Sequence, residues 1–388
     1  MRRTLFVVAL LTLTGVGVGL LYQDAAQDRQ YRRFIARGDA ALAGEQTFAA
    51  IEAFSGAIAL RPDSMLAHLR LAETYHRLGN LDEAARELRR ATNLDQTATR
   101  PFEELGDVSY LQERFDRAAE AYARAARLDD RSAAIAYKLA LAQYRTGAAA
   151  DAASTVTEAL KLDAHSPDAE YLLGLCLRDT DRVDEALQAF ARAVTFAPAM
   201  IAPHEELADM YRSLGRTVDE LDQLRTLAAL DRGSVARHIA LARAHQRAGH
   251  GDLAVLTLGE ALERSPDNPA VYGALGQVWL ERSRDDHALL KKAREALERA
   301  ATRPDATSET LTAYARALLL DGDVEQANRV LQQATARFPV DPDAFLQYAG
   351  VLDRENRPEP ARRALVAYAA LAGDSQNPQF LALSRRLH

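Results

Sequence analysis

At 388 residues, 27% of them charged, with a net charge of −7, the chain is long enough for two or three globular domains or one extended repeat array. Its mild acidity argues against a general nucleic-acid binder, which relies on clustered Lys and Arg. The single cysteine, Cys176, excludes an intramolecular disulfide and any Cys-based zinc site. Basic residues are almost all Arg, with Lys only at Lys138, Lys161, Lys291 and Lys292, a bias suggestive of a GC-rich bacterial genome.

In chain order, the first element is an uncharged stretch from Thr4 to Tyr22 behind Arg2 and Arg3. As a helix it would span about 28 Å, close to a ~30 Å hydrocarbon core, with Tyr22 where an interfacial aromatic would sit. Two readings stand: an uncleaved signal anchor, or a cleaved signal peptide with Gly15, Gly17 and Gly19 near the cut. Basic residues directly before the apolar run place the N-terminus in the cytoplasm and export the rest. The expectation is a single-pass inner-membrane protein with its body in the periplasm. The alternative is a periplasmic protein released by cleavage. Residues 1–30 form this segment and a short linker.

From residue 31 the chain repeats. Stepping by 34 residues through Ala186 meets Ala50, Ala84, Ala118, Ala152, Glu220 and Ala254, and only Glu220 breaks the series. Twelve places earlier stand Gly38, Ala72, Gly106, Ala140, Gly174, Ala208 and Ala242. Four places after the first series come Phe54, Leu88, Tyr122, Val156, Phe190, Leu224 and Leu258, and three further on Ala57, Ala91, Ala125, Ala159, Ala193, Leu227 and Ala261. Each unit reads as helix, turn, helix, with the break often at glycine, as at Gly79, Gly147, Gly215, Gly249 and Gly322. Small residues let the paired backbones approach, and Gly174 is expected at such a crossing. Pro62, Pro198, Pro266 and Pro339 fall at junctions, where they cannot continue a helix. One helix pair cannot bury its own apolar faces, so the units must stack as a solenoid. After Pro266 the phase slips by five residues within 283–292, where Ser283 and Asp286 are expected to cap a lengthened second helix. Two more units follow, and residues 376–388 read as a capping helix.

The pattern resembles the tetratricopeptide repeat family on Phe102, Leu105, Gly106, Ala118, Tyr122 and Ala125 in one unit, and on His68, Leu71, Ala72, Tyr75, Ala84, Leu88 and Ala91 in another. The resemblance spans residues 31–375 in ten units and is to an exported or membrane-anchored bacterial member. It implies an all-α, right-handed superhelical solenoid whose first helices line a concave binding surface. The inward positions would be Leu69, Glu73 and His76; Glu103, Asp107 and Tyr110; Tyr137, Leu141 and Tyr144; Tyr171, Leu175 and Arg178; Glu205, Asp209 and Arg212. Tyr110, Tyr137, Tyr144 and Tyr171 would form an aromatic patch, bordered by Glu103 and Asp107 on one side and Glu205 and Asp209 on the other. The Lys-and-Asn clamp with which some members grip a C-terminal carboxylate is missing.

Chemistry is scarce. No metalloprotease, Walker or dinucleotide motif occurs outside the apolar leader. His238 and His245 occupy packing positions, and Cys176 lies beside the core, so neither a metal nor a nucleophile is expected. The expected function is a non-catalytic scaffold without cofactor, metal or nucleic acid, which binds protein or peptide segments of an envelope complex in its groove. Alternatives are an accessory subunit of polysaccharide synthesis or export, with sugars stacked on the same tyrosines, and a membrane-anchored regulator facing the cytoplasm. In Glu220 the pattern sees a misplaced charge, so its replacement by Ala is expected to be neutral or stabilising.

Overall fold

The computed structural model of the chain describes residues 23, 25–284, 286–373 and 376–387. These residues contain 21 helices and no strand. The apolar leader lies outside the described residues, and no helix among them is long and apolar enough to cross a membrane. Two compact units divide the chain, Met1–Pro203 and His204–His388.

In the first unit α1 runs through 25–43. It is followed by α2 (Thr47–Leu60), α3 (Met65–Arg77), α4 (Leu81–Leu94), α5 (Thr99–Leu111), α6 (Phe115–Leu128), α7 (Ala133–Arg145), α8 (Ala149–Leu162), α9 (Pro167–Asp179) and α10 (Val183–Phe196). The division falls inside α11 (Ile201–Ser213). Then come α12 (Thr217–Leu230), α13 (Val235–Arg247), α14 (Gly251–Arg264), α15 (Pro269–Arg282), α16 (His287–Ala301), α17 (Ser308–Asp321), α18 (Val324–Thr335), α19 (Pro342–Arg354), α20 (Pro358–Ala372) and α21 (Pro378–Leu387). Within each unit the helices pair in sequence, α3 on α4, α7 on α8, α15 on α16, and each pair stacks on the next. The odd-numbered helices also touch one another: α3 reaches α5 and α7 reaches α9 in the first unit, and α13 reaches α15, α15 reaches α17 and α17 reaches α19 in the second. These helices crowd one side, which is the inner side of each unit.

Local sequence sets the boundaries. Ser64, Ser132, Ser166 and Ser234 precede odd helices, and their hydroxyls accept the backbone N–H of Ala67, Ile135, Ala169 and Arg237, which satisfies donors the helix leaves open. Between paired helices the backbone turns left-handed: φ is +76° at Gly79 and +89° at Gly322, where glycine carries no Cβ penalty. Glu45, Glu113, Asp181 and Asn356 adopt the same region without glycine.

The core follows the 34-residue step. Ala50, Ala84, Ala118, Ala152, Ala186 and Ala254 are fully buried, and so are Phe54, Val156, Phe190 and Leu258 four places on. The glycines of the odd helices face these large residues. A Cβ on Gly174 would stand 2.5 Å from Phe190 Cδ1, one on Gly106 2.4 Å from Tyr122 Cε1, and one on Gly276 2.4 Å from Leu297 Cγ. The crossing expected at Gly174 is therefore present.

Two expectations need correction. Glu220 is not a misfit. It is 2% exposed, and its Oε1 accepts Arg212 Nε at 3.0 Å and Arg247 Nη2 at 2.6 Å, so it ties α11, α12 and α13 together. In the insertion, Asp286 caps α16 alone, accepting Ala288 N at 2.8 Å and Leu289 N at 3.1 Å. Ser283 ends α15 instead, donating its hydroxyl to Leu280 O at 2.8 Å. At the C-terminal end α21 packs on α19 and α20, with Leu383 and Leu387 joining Leu365 and Tyr368 in one cluster.

Candidate functional site

The inner side of the first unit gathers three of the four predicted tyrosines. Tyr110 lies in the last turn of α5, Tyr137 in α7 and Tyr144 near the end of α7; all are half-buried. Tyr137 is close enough to Asp168 of α9 and Tyr110 of α5 to feel both: burial first, then these two groups, raise its hydroxyl pKa above the ordinary phenol value. Among the described residues none hydrogen-bonds the Tyr137 hydroxyl. Tyr144 donates its hydroxyl to Asp179 Oδ2 at 2.9 Å, and burial followed by that bond pushes its pKa up to about 12. Tyr110 meets Phe115 edge to face at 5.1 Å between centroids. Arg145 lies over both rings, 4.4 Å from Phe115 and 5.8 Å from Tyr110, a contact between cation and ring face that also fixes the aromatic surface. Tyr171, half-buried on α9, leans onto Phe190 of α10 with 5.8 Å between centroids.

The acidic border differs from what the sequence suggests. Lys138 Nζ of α7 donates to Glu103 Oε1 at 2.8 Å and to Asp107 Oδ2 at 2.9 Å, so both α5 carboxylates spend their charge on one ammonium. Burial disfavours the Lys138 charge, yet the bonds to Glu103 and Asp107 outweigh it and its pKa is raised. Tyr122, on α6, donates its hydroxyl to Asp107 Oδ1 at 2.7 Å. Burial and that bond hold its pKa far above the ordinary phenol range. The network joins α5, α6 and α7 and stiffens the wall beneath the tyrosines. In the second unit, Glu205 meets Arg237 at 3.2 Å and Asp209 meets Arg212 at 2.8 Å.

Of the remaining inward positions, Leu69 is buried in the core with Val108 and presents no groove surface. Glu73 binds Arg70 and Arg100. Sequence reasoning missed Lys138, Asp179 and Arg145. The first is one place after Tyr137, and as one of four lysines in the chain it was the signal that could have been followed. The histidines are packing groups: His238 and His245 are buried, and His238 Nδ1 bonds Ser234 O at 2.9 Å. Burial pushes the Cys176 thiol up to about 12, so it carries no thiolate near neutrality. Among the described residues no group of His, Cys, Asp and Glu is placed to hold a metal ion. The arrangement offers aromatic contact area and a spare hydroxyl.

Three family models match the chain: tetratricopeptide repeat protein 21 C-terminal ARM domain over residues 61–171, and tetratricopeptide repeat models over residues 149–201 and 198–372. No curated protein matches it in sequence. Among solved structures it is similar to the MamA protein, with 22% identity, 44% of this chain and 92% of that one covered, and a TM-score of 0.42. It is also similar to YrrB, described as a TPR protein with an unusual peptide-binding site, at 20% identity over 51% of this chain and all of that one, with a TM-score of 0.44. Yeast Tom70 is similar at 14% identity over 93% and 95% of the two chains, again with a TM-score of 0.44. At these scores none of the three says anything of what this chain binds.

Proposed function

This chain belongs to the tetratricopeptide repeat family, and from that premise we propose that it is a non-catalytic scaffold that holds a partner polypeptide on the inner side of its first unit. The observation that carries the reading is Tyr137. Its ring is half-buried beside Tyr110, and among the described residues its hydroxyl has no hydrogen-bond partner. Tyrosine offers a large, stiff, apolar body with a polar tip, and such residues anchor interfaces. A peptide laid across α5, α7 and α9 would bury the faces of Tyr110, Tyr137 and Tyr144 and give the Tyr137 hydroxyl an acceptor. The Lys138 network supports the aromatic floor and takes little part in steering, because its charges are already paired.

The apolar run from Thr4 to Tyr22 behind Arg2 and Arg3 supports a place at the cell envelope, with the repeats on the exported side. A reporter that is active only after export, fused after Leu387, tests this part by itself.

The binding reading is tested by changing Tyr110, Tyr137 and Tyr144 to Ala together. Capture of membrane-associated partners by the full chain should fall by at least roughly tenfold, as loss of central aromatic anchors predicts, while the circular-dichroism melt stays close to the parent's. A variant that melts early identifies the tyrosines as core. One that melts normally and captures every partner as before overturns the assignment.

A further inference from the structure

The outer side of the first unit holds a pocket of about 350 Å3 between α4 and α6, with α5 as its floor. Phe102 and Leu105 of α5 and Ala121 of α6 supply apolar surface, and Arg89, Arg114, Arg117 and Arg124 stand around the rim. A polar tie that some repeats carry between helices is absent at this pocket. In the α3, α9 and α11 repeats the place of Phe102 is held by His68, Glu170 and His204, each bound to the outer helix that follows, whereas Phe34 of α1 and Ala136 of α7, in the same register, have no polar side-chain atom to tie with. His68 Nδ1 meets Glu87 Oε2 at 2.7 Å. Glu170 accepts two hydrogen bonds from Arg192 at 2.7 and 2.8 Å. His204 Nδ1 meets Gln223 Oε1 at 2.7 Å. In the α5 repeat, Phe102 has no polar atom to offer, and Ala121 stands in the register of Glu87 and Gln223. Arg124, in the register of Arg192, lies 5.8 Å from the Phe102 ring centroid without a carboxylate to meet. The gap that the α3, α9 and α11 repeats close with a polar tie stays open here.

Many arginines elsewhere in the chain pair with carboxylates, as Arg182 with Glu185 and Arg90 with Glu87. Among the described residues no carboxylate lies within ion-pairing distance of Arg89, Arg117 or Arg124, and Arg114 reaches only Asp82, at 3.9 Å. Glu120 is the one acid on the rim. In a protein of net charge −7, four guanidinium groups around an apolar floor form a local surface of the opposite sign.

We propose that this outer pocket docks an acidic peptide segment of a partner protein: one large apolar side chain enters against Phe102 and Leu105, and carboxylates on either side of it meet the arginines. The planar guanidinium suits carboxylates, which it grips with two parallel hydrogen bonds. The rim charges steer the segment in, and the apolar anchor holds it. The surface lies on the opposite side of the unit from the tyrosines, so it can act while the inner side is occupied.

The test is fluorescence polarisation on the full chain, with a short labelled peptide in which one Phe is flanked on both sides by Asp and Glu. Saturable binding is expected, weakened by roughly tenfold or more when the peptide's Phe is replaced by Ser, and likewise in the Arg117→Glu, Arg124→Glu double variant. Ala121→Glu gives a sharper readout: it refills the gap with the side chain that Glu87 supplies in the preceding repeat and gives Arg124 a partner. It should abolish binding with an unchanged melt, and it decides the matter if the double variant does not fold. Tyr137→Ala should bind as the parent does. The proposal is overturned by a peptide that never saturates, or by full binding in a normally melting Ala121→Glu. It is equally overturned if binding is lost only in Tyr137→Ala, which returns the peptide to the inner side, or if phosphatidylglycerol vesicles bind through the same arginines while the peptide does not.

Discussion

Six of the seven places on the 34-residue alanine step are filled by fully buried Ala, and the seventh by Glu220. A pattern read from sequence ranks that position by its neighbours in the series. It has no access to Arg212 and Arg247, which come from the helices on either side and place their guanidinium groups on one carboxylate oxygen. Glu220→Ala removes two charge-assisted hydrogen bonds and should cost about 1–3 kcal/mol. The two arginines are half exposed and regain water, so the loss stays below that of stranding a buried charge. Glu220→Gln, which keeps the volume and one acceptor, should fall between. Chemical denaturation of the three proteins checks this, and an Ala variant as stable as the parent would restore the sequence-based expectation. His245 offers a second test. Burial, then the charges of Arg225 and His250, lower its pKa below the ordinary 6.5, so the fold holds it neutral. Its contribution to stability is complete above about pH 6.5 and is lost as pH falls through the lower, folded-state value, because the unfolded chain then binds the proton more readily. Tyrosine occupies the corresponding place at Tyr75 and Tyr211. His245→Tyr should therefore flatten the fall in melting temperature between neutral and mildly acid pH. An unchanged slope would show that other groups set it.

At the scale of the helix pair, the sequence was at its most legible. Small-against-large packing is written in the spacing of Gly174 and Phe190, and the structure presses them together. Gly174→Leu should overpack that crossing and cost about 1–3 kcal/mol or more. Amide exchange should rise first in α9, α10 and the pairs next to them, since repeat stability is largely nearest-neighbour. Loss of protection spread evenly through both units would contradict this. The turns were legible only where glycine marked them. Glu113 and Asp181 take the same left-handed turn as Gly79, and nothing in their side chains announces it. The insertion was located by the slip in phase, but its cap was misassigned in part: Ser283 and Asp286 are both good capping residues, and only geometry shows that Ser283 turns back to Leu280. Asp286→Ala should cost about 1 kcal/mol, with exchange rising in the first turn of α16. A Ser283 substitution should leave that turn's protection unchanged.

For the whole molecule, an all-helical solenoid could be read from periodicity, because close packing repeats and repetition survives in one sequence. The binding surface could be read only in part. The tyrosines are placed on inner helices by their register, but charge pairing depends on neighbours 31 and 35 residues away, as with Lys138, Asp107 and Glu103. What the sequence presents as an acidic border is largely neutralised within the fold. Recognition on the inner side should accordingly depend weakly on salt, with aromatic contacts setting the off-rate. The most direct measurement replaces Tyr137 by a photo-reactive phenylalanine analogue in the full chain in cells, with the same analogue at the exposed Lys161 as the control. A polypeptide adduct from Tyr137 and not from Lys161 is the predicted result. No adduct from Tyr137, or equal adducts from both positions, would contradict the claim that the inner side of the first unit is where this scaffold binds.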